Sequence, residues 1–335
     1  MANNLEACQS SILAASFSPD CKKLLTANWN GVLALWESGG GKQPVIILKG
    51  ILSKEEEHEE EEYGFRIARL SEPISRCSLT SVRFSRDGKW FAVGAANGWV
   101  VIWNARGGEI YAWEAHEDEV VSLDFSPDRQ YLATGAVGGN ATFRLWRIPR
   151  YDTSPGHSTI RGEEVFSDDK HARGVWAICF SPDGRRVASG GSGLSTSIAP
   201  RVYWVDTGER AGAFFMDITR ALEFSPDGKL FATGDDFGTV KIWNVEHGGK
   251  PIVEIEAHKT RVETVSFSPD GLRLASCSTD GTVRISGART LEKIEECSFG
   301  NPILTCRFSP DGRNVYAAEI SEYTDYPDIH VLPQG

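Results

Sequence analysis

Short apolar runs separated by turn residues fill almost the whole chain. One unit reads Val262, Val265 and Phe267, then Ser268-Pro269-Asp270-Gly271, then Arg273-Leu274-Ala275-Ser276 and Asp280-Gly281. Its predecessor reads Leu230-Phe231-Ala232-Thr233, then Phe237-Gly238, Val240-Lys241-Ile242-Trp243 and Pro251-Ile252-Val253-Glu254-Ile255. Runs this short, bounded by Gly, Asp and Pro, predict antiparallel strands joined by tight turns. In the turn phrase Phe-Ser-Pro-Asp-Gly, Pro presets φ, Asp bonds its own backbone and Gly accepts positive φ. The phrase recurs with small changes at Phe17, Phe84, Phe125, Phe180, Phe224, Phe267 and Phe308, at spacings of 67, 41, 55, 44, 43 and 41 residues. In the second copy Arg86 stands in place of Pro.

A period near 41–44 with four short strands per unit predicts a repeat array or a propeller. One such sheet cannot bury both faces alone, whereas seven arranged radially pack on their neighbours. A second register agrees. His116, His171 and His258 each lie nine residues before their Phe and eighteen before Thr134, Ser189 and Ser276. With these motifs the chain resembles the WD-repeat β-propeller family over essentially its whole length. The resemblance implies an all-β fold: a seven-bladed β-propeller of four-stranded antiparallel blades, residues 1–335 forming one domain. It also implies a structural hydrogen-bond network of His, Ser or Thr, Asp and Trp in each blade. No blade here carries all four. The sixth has His258, Ser276 and Asp280, with Ser286 at the Trp position; the third has His116, Thr134 and Trp146; the fourth has His171, Ser189 and Trp204. These groups are read as structural, and stability is expected to rest mainly on packing between blades.

After the seventh phrase only strands B and C fit, near residues 314–318 and 328–332. Leu5-Glu6-Ala7-Cys8 stands in the register of Ile255-Glu256-Ala257-His258, which ends a D strand. The N-terminal strand is therefore expected to close the ring, hiding two sheet edges.

The net charge of −11 is concentrated in Glu55–57 and Glu59–62, and elsewhere the chain is only mildly acidic. No basic cluster longer than Arg185-Arg186 is visible, so no nucleic-acid footprint is evident. Seven scattered cysteines without C-x-x-C spacing suit reduced thiols in an intracellular protein, cytoplasmic or nuclear. No signal peptide and no membrane span are expected, and the propeller is expected to be a monomer.

Where the repeat breaks, function can enter. Residues 38–63 form an acidic insertion between strand C of blade one and a D strand expected at residues 65–70. It reads either as a solvated loop or as a docking loop for a basic partner. Residues 148–162 form an irregular loop in blade three. Residues 190–200 and 319–327 lengthen the B–C turns of blades four and seven, the latter with Tyr323 and Tyr326. In the family B–C turns share a face with the D–A loops. Entry positions into strand A on that face hold Asp118, Glu119, Arg173, Trp176, Arg220 and Arg261. Trp beside Arg is the composition of an interface hot spot, although packing between blades suits Trp176 equally.

Gly39-Gly40-Gly41-Lys42-Gln43 lacks the pattern of a phosphate loop, and Ser192 lacks that of a nucleophile elbow. No metal, cofactor or catalytic residue is expected. The leading reading is a non-enzymatic scaffold within a multiprotein complex. The alternatives are a subunit of an RNA-processing, export or decay assembly and, in another class, a propeller enzyme with its site at the channel mouth.

Overall fold

The computed structural model describes residues 12–39, 44–49, 66–69, 74, 77–105, 109–138, 142–149, 161–171, 174–192, 200–212, 214, 218–320 and 326–334. Every regular element among them is a strand, and the strands form seven sheets. Blades two to six are four-stranded antiparallel meanders, such as Val262–Phe267, Arg273–Ser278, Thr282–Gly287 and Lys293–Ser298 in blade six. The chain is a seven-bladed β-propeller. The A strands of successive blades touch in order, and Ile303–Phe308 of blade seven touches Ile12–Phe17 of blade one, which closes the circle.

Seven hydrophobic clusters hold the ring, and each joins two neighbouring blades. Phe143 and Leu145 of blade three meet Phe180 and Tyr203 of blade four, and Trp243 of blade five meets Val202 of blade four and Phe214, which follows that blade's D strand. The repeated Phe is buried in every blade, as Phe125 and Phe180 at 0% exposure show. Each such ring contributes about 2–3 kcal/mol on burial. The last cluster joins Ala318, Tyr316 and Ile329 of blade seven to Phe17, Leu24 and Trp36 of blade one. The Cys21 thiol adds a contact to the Phe308 carbonyl at 3.4 Å. Within the described residues, closure is thus a packed interface between the first and last blades. Strand D of blade seven, assigned to the N-terminal residues, lies outside the described residues.

The A–B turns repeat one geometry. In blade five the Ser225 hydroxyl donates to Asp227 Oδ1 at 2.6 Å, and the Leu230 N–H donates to Ser225 Oγ at 2.9 Å. Gly228 takes φ +68°, which explains the Gly of the phrase. Cys21 and Arg129 adopt the same left-handed conformation, at φ 57° and 59°, where the phrase lacks Gly.

Blade one departs from expectation. Its D strand is Ile46–Lys49, antiparallel to Leu33–Glu37, and Arg66–Arg69 adds a fifth strand parallel to Ile46–Lys49. The D strand expected at residues 65–70 is therefore one strand too far out. The apolar run Val45-Ile46-Ile47-Leu48 follows strand C closely enough to pair as a hairpin. The Glu run between residues 55 and 62 lies outside the described residues, as do residues 150–160 of the blade-three insertion.

Candidate protein-binding face

The buried histidines are consumed within their blades. His116 Nε2 lies 2.7 Å from Thr134 Oγ1, and Trp146 Nε1 donates to the same oxygen at 2.9 Å. His171 Nε2 lies 2.9 Å from Ser189 Oγ. His258 Nε2 lies 2.7 Å from Ser276 Oγ, while its Nδ1 lies 2.6 Å from Thr282 Oγ1, which donates to Asp280. Thr282 thus joins His258 to Asp280, a link the sequence reading does not contain. Burial pushes His116 down to about 3, with the Arg144 charge adding to it. Burial likewise lowers His171 and His258 to about 4. All three are neutral at pH 7.

Trp204 does not join this network. Ser189 pairs with Arg201 and Val187 with Tyr203, so Tyr203 holds the position that Trp146 holds in blade three. The Tyr203 hydroxyl donates to Asp168 Oδ2 at 2.6 Å, and its ring stacks on Phe143. Trp204 faces the other side of the strand, with the Arg186 guanidinium 4.5 Å above its ring. A one-residue difference in register reverses a side chain's face. Blades one and five carry Trp36–Thr26 and Trp243–Thr233 bonds of 2.8 and 2.9 Å.

On the D–A and B–C side, four of the predicted residues, Glu119, Trp176, Arg220 and Arg261, converge at the channel mouth. The Arg220 guanidinium lies 3.8 Å above the half-buried Trp176 ring. It donates to both oxygens of Asp236, at 2.6 and 3.2 Å. Arg261 approaches the same carboxylate at 3.6 Å and Glu263 at 3.5 Å. These groups and Glu119 rim a channel cavity of about 350 Å³, apart from Asp236, which braces the two arginines from the B–C turn. Burial raises Glu119 and Glu263 from the ordinary carboxylate range, and Arg261 and Arg220 oppose the rise at Glu263.

Asp236, Glu263 and Phe237 are not among the residues the sequence assigns to this face. Phe237 follows Asp236 in the B–C turn of blade five and is 72% exposed. Its Gly neighbour marks it as a turn residue, and an aromatic at the tip of a polar turn is the signal that was available. The Asp118 carboxylate packs against Gly138 in the neighbouring turn. Tyr326 packs on the cluster between blades seven and one rather than standing free of it. Arg173 and Tyr323 lie outside the described residues.

This architecture agrees with comparisons to known proteins. The pattern described as "WD domain, G-beta repeat" matches residues 2–37, 68–104, 107–147 and 162–195. The pattern described as "Vps42 beta-propeller" matches residues 214–318. The chain belongs to the WD-repeat β-propeller family. It is similar to Periodic tryptophan protein 2 of Arabidopsis thaliana, 27% identical over 75% of this chain and 29% of that protein. It is also similar to WD repeat-containing protein SL1-17 of Schistosoma mansoni, 26% identical over 64% of this chain and 66% of that protein. A third relative, the U3 small nucleolar RNA-associated protein 15 homolog of Xenopus tropicalis, is 24% identical over 69% of this chain and 42% of that protein. The chain thus spans less than two thirds of these relatives' lengths. A chain in a crystal structure of the mitotic checkpoint complex superposes with a TM-score of 0.70, covering 96% of this chain and 90% of its own, at 18% identity. That likeness concerns the fold. Among the described residues, no helix is long and apolar enough to cross a membrane.

Proposed function

We propose that the protein is a non-enzymatic scaffold that holds other proteins in a complex through its D–A and B–C face. One observation carries this reading: Trp176, Arg220 and Asp236 form a linked aromatic and charged cluster beside the channel mouth, with the exposed Phe237 following Asp236 in the same turn. Trp176 is held in place by Arg220, and Arg220 by its two bonds to Asp236. Phe237 presents its ring to solvent next to them. A pre-positioned aromatic beside paired charges is the composition of an interface hot spot. The mouth's arginines are engaged by carboxylates, and the buried imidazoles are bonded to hydroxyls. Such engaged groups suit recognition better than acid–base chemistry. The name of one relative, a U3 small nucleolar RNA-associated protein, supports membership of an assembly and favours an RNA-processing one as the finer setting, with contact through protein subunits.

The test is affinity purification of the full chain against Phe237→Ala combined with Trp176→Ala. The folded state is checked by melting, because Trp176 is half-buried. The reading predicts loss of the principal partners, since hot-spot truncations cost about 2 kcal/mol or more. A folded double variant that keeps its partners, while deletion of residues 55–62 loses them, would place the interface elsewhere.

A further inference from the structure

The opposite rim of the channel is formed by the A–B turns, whose repeated bonding sets a ring of charge. In each turn the Asp Oδ1 accepts the Ser hydroxyl and the backbone N–H of the residue two positions on, as with Lys229 on Asp227 at 3.1 Å. The seven carboxylates, themselves exposed, are each tied to their own turn, and the donating residue stands beside them on the rim. In five of the seven blades that residue is Lys22, Lys89, Arg185, Lys229 or Arg313, all exposed. The remaining two are Gln130 and Leu272, so none is acidic. Single basic residues some forty positions apart make no cluster in the sequence, yet the fold gathers them on one rim of a chain whose net charge is −11.

Inside this rim lies a cavity of about 340 Å³, collared by prolines and lined by Arg83, Arg86, Asp124, Glu223 and Arg307. Arg83 and Asp124 compensate one another through an Nε to Oδ1 bond of 3.1 Å, and the second Asp124 oxygen accepts the Phe180 N–H at 2.9 Å. Glu223 accepts the Phe267 N–H at 2.5 Å and feels the cations only at longer range. Two guanidinium groups have no carboxylate within ion-pair distance among the described residues. Arg86, which replaces the Pro of the six other turns, donates to the Phe180 carbonyl at 2.6 Å. Arg307 makes no hydrogen bond or ion pair with the described residues.

The geometry points to a binding site for a compact polyphosphate in this cavity, gripped by Arg86 and Arg307. A guanidinium fork matches phosphate oxygens in pairs. The most exposed aromatics, Trp29 and Phe237, lie on the other face, so this rim offers phosphate recognition without their rings as a stacking platform for bases. The site is independent of the protein-binding face, and either reading can fail alone. The same chemistry has two sources: a soluble polyphosphate and the phosphorylated headgroup of an inositol lipid.

The probe is inorganic tripolyphosphate, titrated calorimetrically into the full chain at about 150 mM salt, where surface attraction is screened within about 8 Å. Saturable binding that sulfate at equal ionic strength does not displace is expected. Arg86→Pro restores the phrase of the other turns, and Arg307→Gln removes a side chain with no bond to lose, so both variants keep the fold. Each should weaken binding at least about tenfold, or about 1.4 kcal/mol. Vesicles containing phosphatidylinositol bisphosphate form the second arm. Arg86-dependent capture that tripolyphosphate does not release assigns the headgroup as the ligand; capture that it releases, or no capture, assigns the soluble form. No saturable binding in either arm, or equal binding by the wild type and both variants, overturns the proposal.

Discussion

Acidification from pH 7 to pH 5 should loosen the ring through its buried histidines. His116, His171 and His258 are held neutral, with folded-state values of about 3, 4 and 4 against an ordinary value of 6.5. The folded values lie below the unfolded one, so the unfolded chain takes up more protons as pH falls. Stability from these groups is fully present above about pH 6.5 and is lost as pH drops through the folded values. At pH 5 the unfolded imidazoles are about 1.5 units below their titration point while the folded ones remain largely neutral, a difference of about 2 kcal/mol each. Three histidines together give about 6 kcal/mol, comparable to the whole stability of many domains. Glu119, Glu223 and Glu263, raised by burial, act in the opposite sense. The diagnostic is therefore a comparison: urea unfolding of the wild type and of His258→Gln at pH 7 and pH 5. The variant should lose about 2 kcal/mol less across that interval. An identical loss in both proteins would refute the neutral, structural role of this histidine.

Asp124→Ala removes the partner of both Arg83 and the Phe180 N–H, and should cost about 3 kcal/mol by urea unfolding, as broken buried pairs do. Trp243→Phe should cost about 1–2 kcal/mol by removing the bond to Thr233, whereas Trp204→Phe, away from the network, should cost less than about 0.5 kcal/mol. Equal costs would mean that Trp204 is a network residue after all. Replacing residues 50–62 with a Gly/Ser linker should leave the melting temperature nearly unchanged, because so acidic a segment buries little to offset its ordering entropy; a cooperative loss would make it part of the core.

What the sequence displays depends on how local the cause is. The turn phrase is local: Ser, Pro, Asp and Gly act within five residues, so seven copies announce seven blades. The offset of eighteen from His to hydroxyl is also short, and it places His116 on Thr134, His171 on Ser189 and His258 on Ser276. Strand C of blade four is less legible. The turn before it is lengthened, and register then depends on pairing with Arg186–Ser192, so Tyr203 rather than Trp204 takes the inward place. In blade one the short strand Ile46–Lys49 is masked in the sequence by the Gly run before it and the Glu run after it. The functional faces are least legible, because they join residues from separate blades. Asp236 gains its role only when Arg220 and Arg261 of adjacent blades meet it. Arg86 and Arg307, more than two hundred residues apart in the chain, likewise share a cavity only after the ring is closed.

The two faces carry different lysines, which makes the central claim directly measurable. Lys170 and Lys259 lie in the D–A loops beside the Trp176 patch, whereas Lys22, Lys89 and Lys229 lie on the A–B rim, and all five are exposed. Cross-linking mass spectrometry of the affinity-purified complex reads which set lies against a partner. The scaffold account predicts cross-links to partner proteins concentrated at Lys170 and Lys259 and lost in the Phe237→Ala and Trp176→Ala double variant. Cross-links concentrated at Lys22, Lys89 and Lys229, and unchanged in that variant, would contradict it.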